Sequence, residues 1–222
     1  AIDILVHYVQ QTPHLKLEGY FTNPMEALKV VGEQKIDLVF LDIQMPGKTG
    51  FQLLEELDAV PLVIFTTAYD EFALKAFEVN ALDYLLKPIQ PERLAEAISK
   101  LADKERAMNV ATRGPEKKLG LQDQVFVKDG DRCWFVSLNN VRLFESDGNY
   151  IKVYFDNNRP MIHKSLNALD EKLDERAFFR ASRKHIVNLS WVEGIDPWFN
   201  GGLMVKLRGR DKVEVSRRQA AR

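Results

Sequence analysis

Cysteine is nearly absent: Cys133 is the only one in 222 residues, which excludes an intramolecular disulfide and fits a reducing cytoplasm. The four histidines, His7, His14, His163 and His185, have no Cys or His partner at metal-ligand spacing, which argues against a structural transition-metal site. No apolar run approaches the ~20 residues that span a bilayer, and no signal-peptide pattern opens the chain, so no membrane partner is expected. A hydrophobic fraction of 45% and a charged fraction of 28% are those of an ordinary soluble globular protein, expected in the cytoplasm. Net charge is also lacking, at a formal −1, but the balance hides a division. Residues 1–116 carry 11 Lys+Arg against 18 Asp+Glu, whereas residues 117–222 carry 20 against 14. An acidic half joined to a basic half suits a control module coupled to one that binds a polyanion, although such splits also arise by chance.

The first half alternates apolar runs with amphipathic helical patterns. Ala1–Gln11 reads as a helix with Ile4, Leu5, Tyr8 and Val9 inward, and Leu15–Phe21 reads as a strand. Asn23-Pro24 supplies an N-cap and a first-turn proline for a helix carrying Met25, Leu28 and Val31. Ile36–Leu41 is a strand of the kind buried on both faces of a parallel sheet. A helix from about Thr49, a strand over Leu62–Phe65, a helix over Phe72–Val79, a strand at Tyr84–Leu86 and a helix over Pro91–Lys104 follow. This order predicts a doubly wound parallel sheet with its crevice at the carboxyl ends of the strands. Such a sheet normally opens with a central strand, and none precedes the first helix, so its first strand is expected to be missing from this chain.

Residues 107–120 lose apolar periodicity and read as a linker between a domain at 1–106 and one at 121–222. The second domain is mostly β. Short runs at Val125–Lys128, Cys133–Ser137, Arg142–Phe144, Tyr150–Phe155, Pro160–His163, Phe178–Ala181, His185–Leu189, Leu203–Leu207 and Val213–Ser216 are separated by turn signals such as Asp147-Gly148-Asn149. Ser165 is placed to cap one helix carrying Leu166, Leu169 and Leu173.

Asp42 stands where a buried strand ends and the Met45-Pro46-Gly47 loop begins, so its carboxylate can act as a nucleophile toward phosphorus; alone it could equally cap the loop. Thr66-Thr67-Ala68 ends the next strand with hydroxyls, and Lys87-Pro88 ends the last with an ammonium. Three strand ends thus bring a nucleophile, a hydroxyl and a cation to one rim. Haloacid-dehalogenase-type phosphatases also use a transient Asp nucleophile but pair it with a second Asp two residues later as general acid; here that position is Gln44, which cannot usefully donate a proton, so no turnover enzyme is expected.

Leu41-Asp42-x-x-Met45-Pro46-x-x-x-Gly50, Phe65-Thr66-Thr67-Ala68 and Asp83-Tyr84-Leu85-Leu86-Lys87-Pro88, in this order and spacing, resemble the receiver domain of response regulators, a flavodoxin-like fold. The resemblance implies Asp42 as phospho-acceptor from a cognate histidine kinase, Thr67 as switch hydroxyl and Lys87 as phosphate-pairing lysine. It also implies Tyr84 as an aromatic that turns inward on activation, and a Lys87–Pro88 bond that is often cis. Read from the residues alone, Thr66 could face the site instead, and Tyr84 could be an ordinary half-buried strand aromatic. Mg²⁺ is the implied cofactor, bound by Asp42, the Gln44 backbone carbonyl and an acidic pair that this chain lacks, so Mg²⁺-dependent phosphorylation of these 222 residues is expected to fail.

Phe178–Ile195 (FFRASRKHIVNLSWVEGI), with Leu143–Tyr150 before it and Val213–Arg218 after it, resembles the LytTR DNA-binding domain, whose loops enter successive major grooves. Carried over, Asn149 or Tyr150, Asn188 and Arg217 become base-reading candidates, since Arg can bridge guanine O6 and N7 and Asn adenine N6 and N7. Lys164, Arg183, Lys184, His185 and Arg218 become phosphate contacts. Asn188 could instead satisfy backbone groups inside an apolar strand. Trp134, Trp191, Trp198 and Phe199 read as core or packing aromatics. The expectation is a transcription regulator that dimerises on phosphorylation and binds repeated half-sites on double-stranded DNA. The alternative is a phospho-switched module whose β domain binds protein.

Overall fold

The computed structural model describes residues 2–13, 15–68, 81–107, 118–209 and 211–220, apart from the side chains of residues 102–107 and 200. The chain divides into two compact units, Ala1–Lys117 and Lys118–Arg222. Among the described residues no helix is long and apolar enough to cross a membrane.

In the first unit, helices α1 (Ile2–Gln11), α2 (Pro24–Glu33), α3 (Gly50–Glu56) and α4 (Pro91–Ala107) accompany three strands, β1 (Leu38–Asp42), β2 (Leu62–Thr67) and β3 (Asp83–Leu86). The strands pair in parallel in the order β1-β2-β3, with Asp42 opposite Thr66 and Thr66 opposite Leu85. Local chemistry sets the helix starts. Asn23 accepts from the Met25 amide ahead of Pro24, and Thr49 and Gln52 form a reciprocal capping box. Ile64, Leu85, Ile89, Leu94 and Ala97 form the core on one side of the sheet, with Leu5 and Tyr8 packed against them. On the other, Phe51 lies 4.9 Å from Phe65, ring to ring.

Two expectations for this unit are corrected. Residues 15–21 form no strand: among the described residues no neighbour completes a ladder with them, and Tyr20 and Phe21 are exposed. Ile4 is exposed rather than inward, because the buried face of α1 runs through Leu5, Tyr8 and Val9. The helix expected at Phe72–Val79 and most of the 107–120 linker lie outside the described residues.

The second unit is built on a five-stranded antiparallel sheet in the order β8-β7-β6-β10-β9. Its strands are β6 (Val141–Asp147), β7 (Tyr150–Phe155), β8 (Met161–Ile162), β9 (Phe178–Arg180) and β10 (His185–Asn188). Both faces are buried. Phe144, Ile151, Val153, Phe155 and Ile186 face the hairpin of β4 (Gln124–Asp129) and β5 (Arg132–Ser137) and helix α5 (Leu166–Lys172). Leu143, Tyr154 and Val187 face a second sheet of β11 (Val192–Pro197), β12 (Leu203–Leu207) and β13 (Lys212–Val215), followed by the short α6 (Arg217–Ala220). β11 escaped the sequence reading because Glu193, Gly194 and Asp196 break its apolar run. A register shift between Val192 and Gly194 absorbs the irregularity.

Candidate functional site

At the carboxyl ends of β1 and β3, Lys87 forms an ion pair with Asp42 Oδ2. The Gln44 amide donates to Oδ1 at 3.1 Å, so each carboxylate oxygen has a donor. Both side chains keep a solvent face, 32% exposed for Asp42 and 28% for Lys87. Ile43 N donates to Thr66 O at 3.1 Å and Lys87 N to Thr67 O at 2.8 Å, which ties the loops after β1 and β3 to the end of β2. Thr66 and Thr67 are both buried there, Tyr84 is half-buried, and the Lys87–Pro88 peptide is cis.

Two residues of the motifs quoted from the sequence have structural roles that the sequence reading left unassigned. Gly50 packs so closely under the loop that a Cβ would lie 2.5 Å from the Asp42 carbonyl oxygen. Its amide donates to Ile43 O at 3.0 Å, so only glycine lets α3 begin there and close the loop. The Asp83 side chain is fully buried beside two cations of α4, with Arg93 Nη2 at 3.1 Å and Lys100 Nζ at 2.8 Å. It also accepts from the Tyr84 amide at 2.9 Å. The i, i+7 spacing of Arg93 and Lys100 on one helix face was the available signal.

Mg²⁺ takes oxygen donors and usually one or two carboxylates. The donors expected of this chain are the Asp42 carboxylate, already paired with Lys87, and the Gln44 carbonyl. Among the described residues no group of three or more His, Cys, Asp or Glu could hold a metal ion. The residues present do not make up the site.

A second rim lies at one edge of the β unit, where backbone bonds join turns from separate strands. Ser146 N donates to Lys184 O at 2.8 Å, linking the 147–150 turn to the 181–184 turn. Ser216 N donates to Ala181 O at 3.3 Å, bringing Arg217 and Arg218 beside the same turn. Asn149, Tyr150, Arg183, Lys184, Arg217 and Arg218 are exposed along this edge, and Lys164 is half-buried close by in sequence to His163, whose ring lies 5.4 Å from that of Tyr150.

The 181–184 turn is held rigidly. Arg180 donates to the carbonyls of Ser182 at 2.7 Å, Arg183 at 2.9 Å and Leu166 at 3.0 Å. The Ser182 hydroxyl accepts from the Lys184 amide at 3.1 Å and meets His185 Nδ1 at 3.0 Å. Nothing in the local sequence of Arg180 pointed to this role, because its partners are carbonyls placed by the fold.

Three expectations are corrected here. Asn188 does not face DNA: it is 0% exposed, its amide donates to Leu138 O and Val141 O, and its Oδ1 accepts from the amide and hydroxyl of Ser190. His185 is not an open phosphate contact, since its ring sits between Ser182 and Glu145, 3.7 Å away. Burial holds its pKa below the usual histidine value, against the pull of Glu145. Glu145 also accepts from Tyr154, whose phenol is pushed up to about 12 by burial and by that bond. Finally, Trp198 and Phe199 are not packing aromatics, being 41% and 75% exposed.

Residues 2–99 match the family described as the response regulator receiver domain, and residues 131–222 the LytTr DNA-binding domain. The chain is 34% identical to sensory transduction protein LytT of Enterococcus faecalis, over 98% of this chain and 90% of that protein. An uncharacterized response regulatory protein of Vibrio cholerae is 35% identical over the same shares. Sensory transduction protein LytT of Bacillus subtilis is 30% identical over 99% of this chain and 91% of its own length.

Proposed function

Because the chain belongs to the response regulators that join a receiver to a LytTR DNA-binding domain, we propose that phosphorylation of Asp42 controls how its basic rim engages DNA. Receiver domains imply a histidine kinase as phosphoryl donor and generally bind Mg²⁺ for the reaction. In this reading Asp42 forms a bond to phosphorus as the bond to the kinase histidine breaks. Lys87 transfers its charge-assisted bond to a phosphoryl oxygen, Thr67 binds another, and Tyr84 moves inward. The observation that carries the reading is the ion pair that Lys87 makes with Asp42 across 45 residues of chain.

The receiver comprises residues 1–106, the linker 107–120 and the output domain 121–222. A receiver dimer sets two output domains on repeated half-sites, so affinity rises through effective concentration. Taking such a switch from 1:99 to 99:1 requires about 5.5 kcal/mol, which phosphate and dimer contacts supply together. Asn149, Tyr150 and Arg217 read bases, while Lys164, Arg183, Lys184 and Arg218 position the backbone.

Selection of duplexes from a random library by the full chain, beside Arg217→Ala, tests the DNA reading. The expected result is one enriched motif for the parent chain and lost selectivity in the variant. A folded chain that enriches nothing would overturn it in favour of a protein-binding output.

A further inference from the structure

Beyond the basic rim, the connection between β11 and β12 presents Trp198 and Phe199 to solvent, their rings edge to face with centroids 4.9 Å apart. Adjacent exposed aromatics leave apolar area uncovered, which marks contact with a further molecule. Their position in the fold points to which one.

The connection folds back onto the end of the sheet from which Arg217 departs. Trp198 N donates to Gly202 O at 2.9 Å and Gly202 N to Phe199 O at 3.1 Å, closing a tight tip. At Gly202 a Cβ would lie 3.0 Å from the Val215 carbonyl, and at Gly201, with φ +76, it would touch the Arg217 side chain at 3.9 Å. The tip therefore continues the rim, following the turns at 147–150 and 181–184 and the segment 216–218. Between Pro197 and Leu203 the sequence carries no charge of either sign. An uncharged aromatic end on a cationic rim suits a ligand whose phosphates are met by Arg and Lys and whose apolar edges lie just beyond. A free-standing protein interface would need roughly 800 Å² per partner, far more than two rings supply, whereas DNA already held by the rim needs no further anchor.

We propose that Trp198 and Phe199 form an apolar wedge against the minor groove of the DNA flanking the bases that the rim reads. The proposal rests on the DNA reading of that rim. Apolar side chains in this groove lie against sugars and base edges and can part a base step, at least cost where the step unstacks readily. The wedge would thus add affinity and a flank preference without adding a phosphate contact.

The test uses the full chain and the duplex it selects from a random library, made with long flanks and trimmed to the motif. For the parent chain, trimming should weaken binding on the order of tenfold, about the loss of one aromatic contact. Phe199→Ala should bind long and trimmed duplexes alike, at the weaker affinity, with its salt dependence and motif preference unchanged. Saturating duplex should alter tryptophan emission in the parent chain and not in Trp198→Phe. Phe199 is exposed, so its replacement leaves the fold intact, and matching unfolding curves verify this. Parental affinity and flank dependence in Phe199→Ala, with emission unmoved by DNA, would overturn the wedge and leave the tip to a protein partner. Failure of the parent chain to select any motif would instead overturn the DNA reading, and the wedge with it.

Discussion

Asn188 separates what residue type reveals from what environment decides. Its position in Ile-Val-Asn suggested a base reader, yet all its polar capacity is directed inward, to Leu138, Val141 and Ser190. Sequence showed an amide at the end of an apolar strand but not which way it faces, since that depends on carbonyls about 50 residues away in the chain. Asn188→Ala leaves two buried carbonyls without donors and should destabilise the output domain by about 2–4 kcal/mol in denaturant unfolding. Asn149→Ala, on the exposed turn, should unfold within about 0.5 kcal/mol of the parent chain and lose motif selectivity. The reverse pattern would restore Asn188 as a reader. At Asp42 and Lys87, by contrast, residue type and place were both legible, because Asp42 ends β1 and Lys87 directly follows β3, and a strand end fixes where its side chain emerges.

Among the elements, those with strong apolar periodicity matched their expected places: α4 extends three residues beyond its expected end, and Tyr150–Phe155 stands as read. Those that depend on a neighbour did not, as residues 15–21 and β11 illustrate, since a strand exists only where a partner completes its ladder. The turn between β9 and β10 is likewise a product of tertiary contacts, with Arg180, Ser182 and His185 bracing it from within. Burial lowers the His185 pKa below 6.5, so the unfolded chain takes up the proton first as pH falls. Stability is therefore full above the unfolded value and is lost as pH falls through it toward the folded one. The facing groups that moderate this are Glu145, which favours the proton, and Lys184, which opposes it. The thermal midpoint of the output domain should fall as pH is lowered from about 7 to about 5.5, and His185→Gln should flatten that slope. An unchanged slope in the variant would assign the pH response to other groups.

For the whole molecule, the division of charge seen in the sequence is matched by a division of labour. The acidic unit carries the carboxylate proposed to accept phosphate, and the basic unit carries the rim proposed to meet it on DNA. If Lys164, Arg183, Lys184 and Arg218 each neutralise a phosphate, the logarithm of affinity should fall against the logarithm of salt with a slope near −3.6 per protomer, at about −0.9 per contact. Arg218→Ala should reduce the magnitude of that slope by about one and leave the preferred motif unchanged. A slope near zero in the parent chain would contradict a phosphate-held complex. The order of turns along the rim could not be read from the sequence, because Ser146 with Lys184 and Ser216 with Ala181 are neighbours only through the sheet. Each turn belongs to a different strand connection, and those two single backbone bonds leave the two-sided core untouched. If the rim reads DNA as proposed, the exposed residues of one turn can be exchanged without disturbing the other turns, as a lock is rekeyed pin by pin.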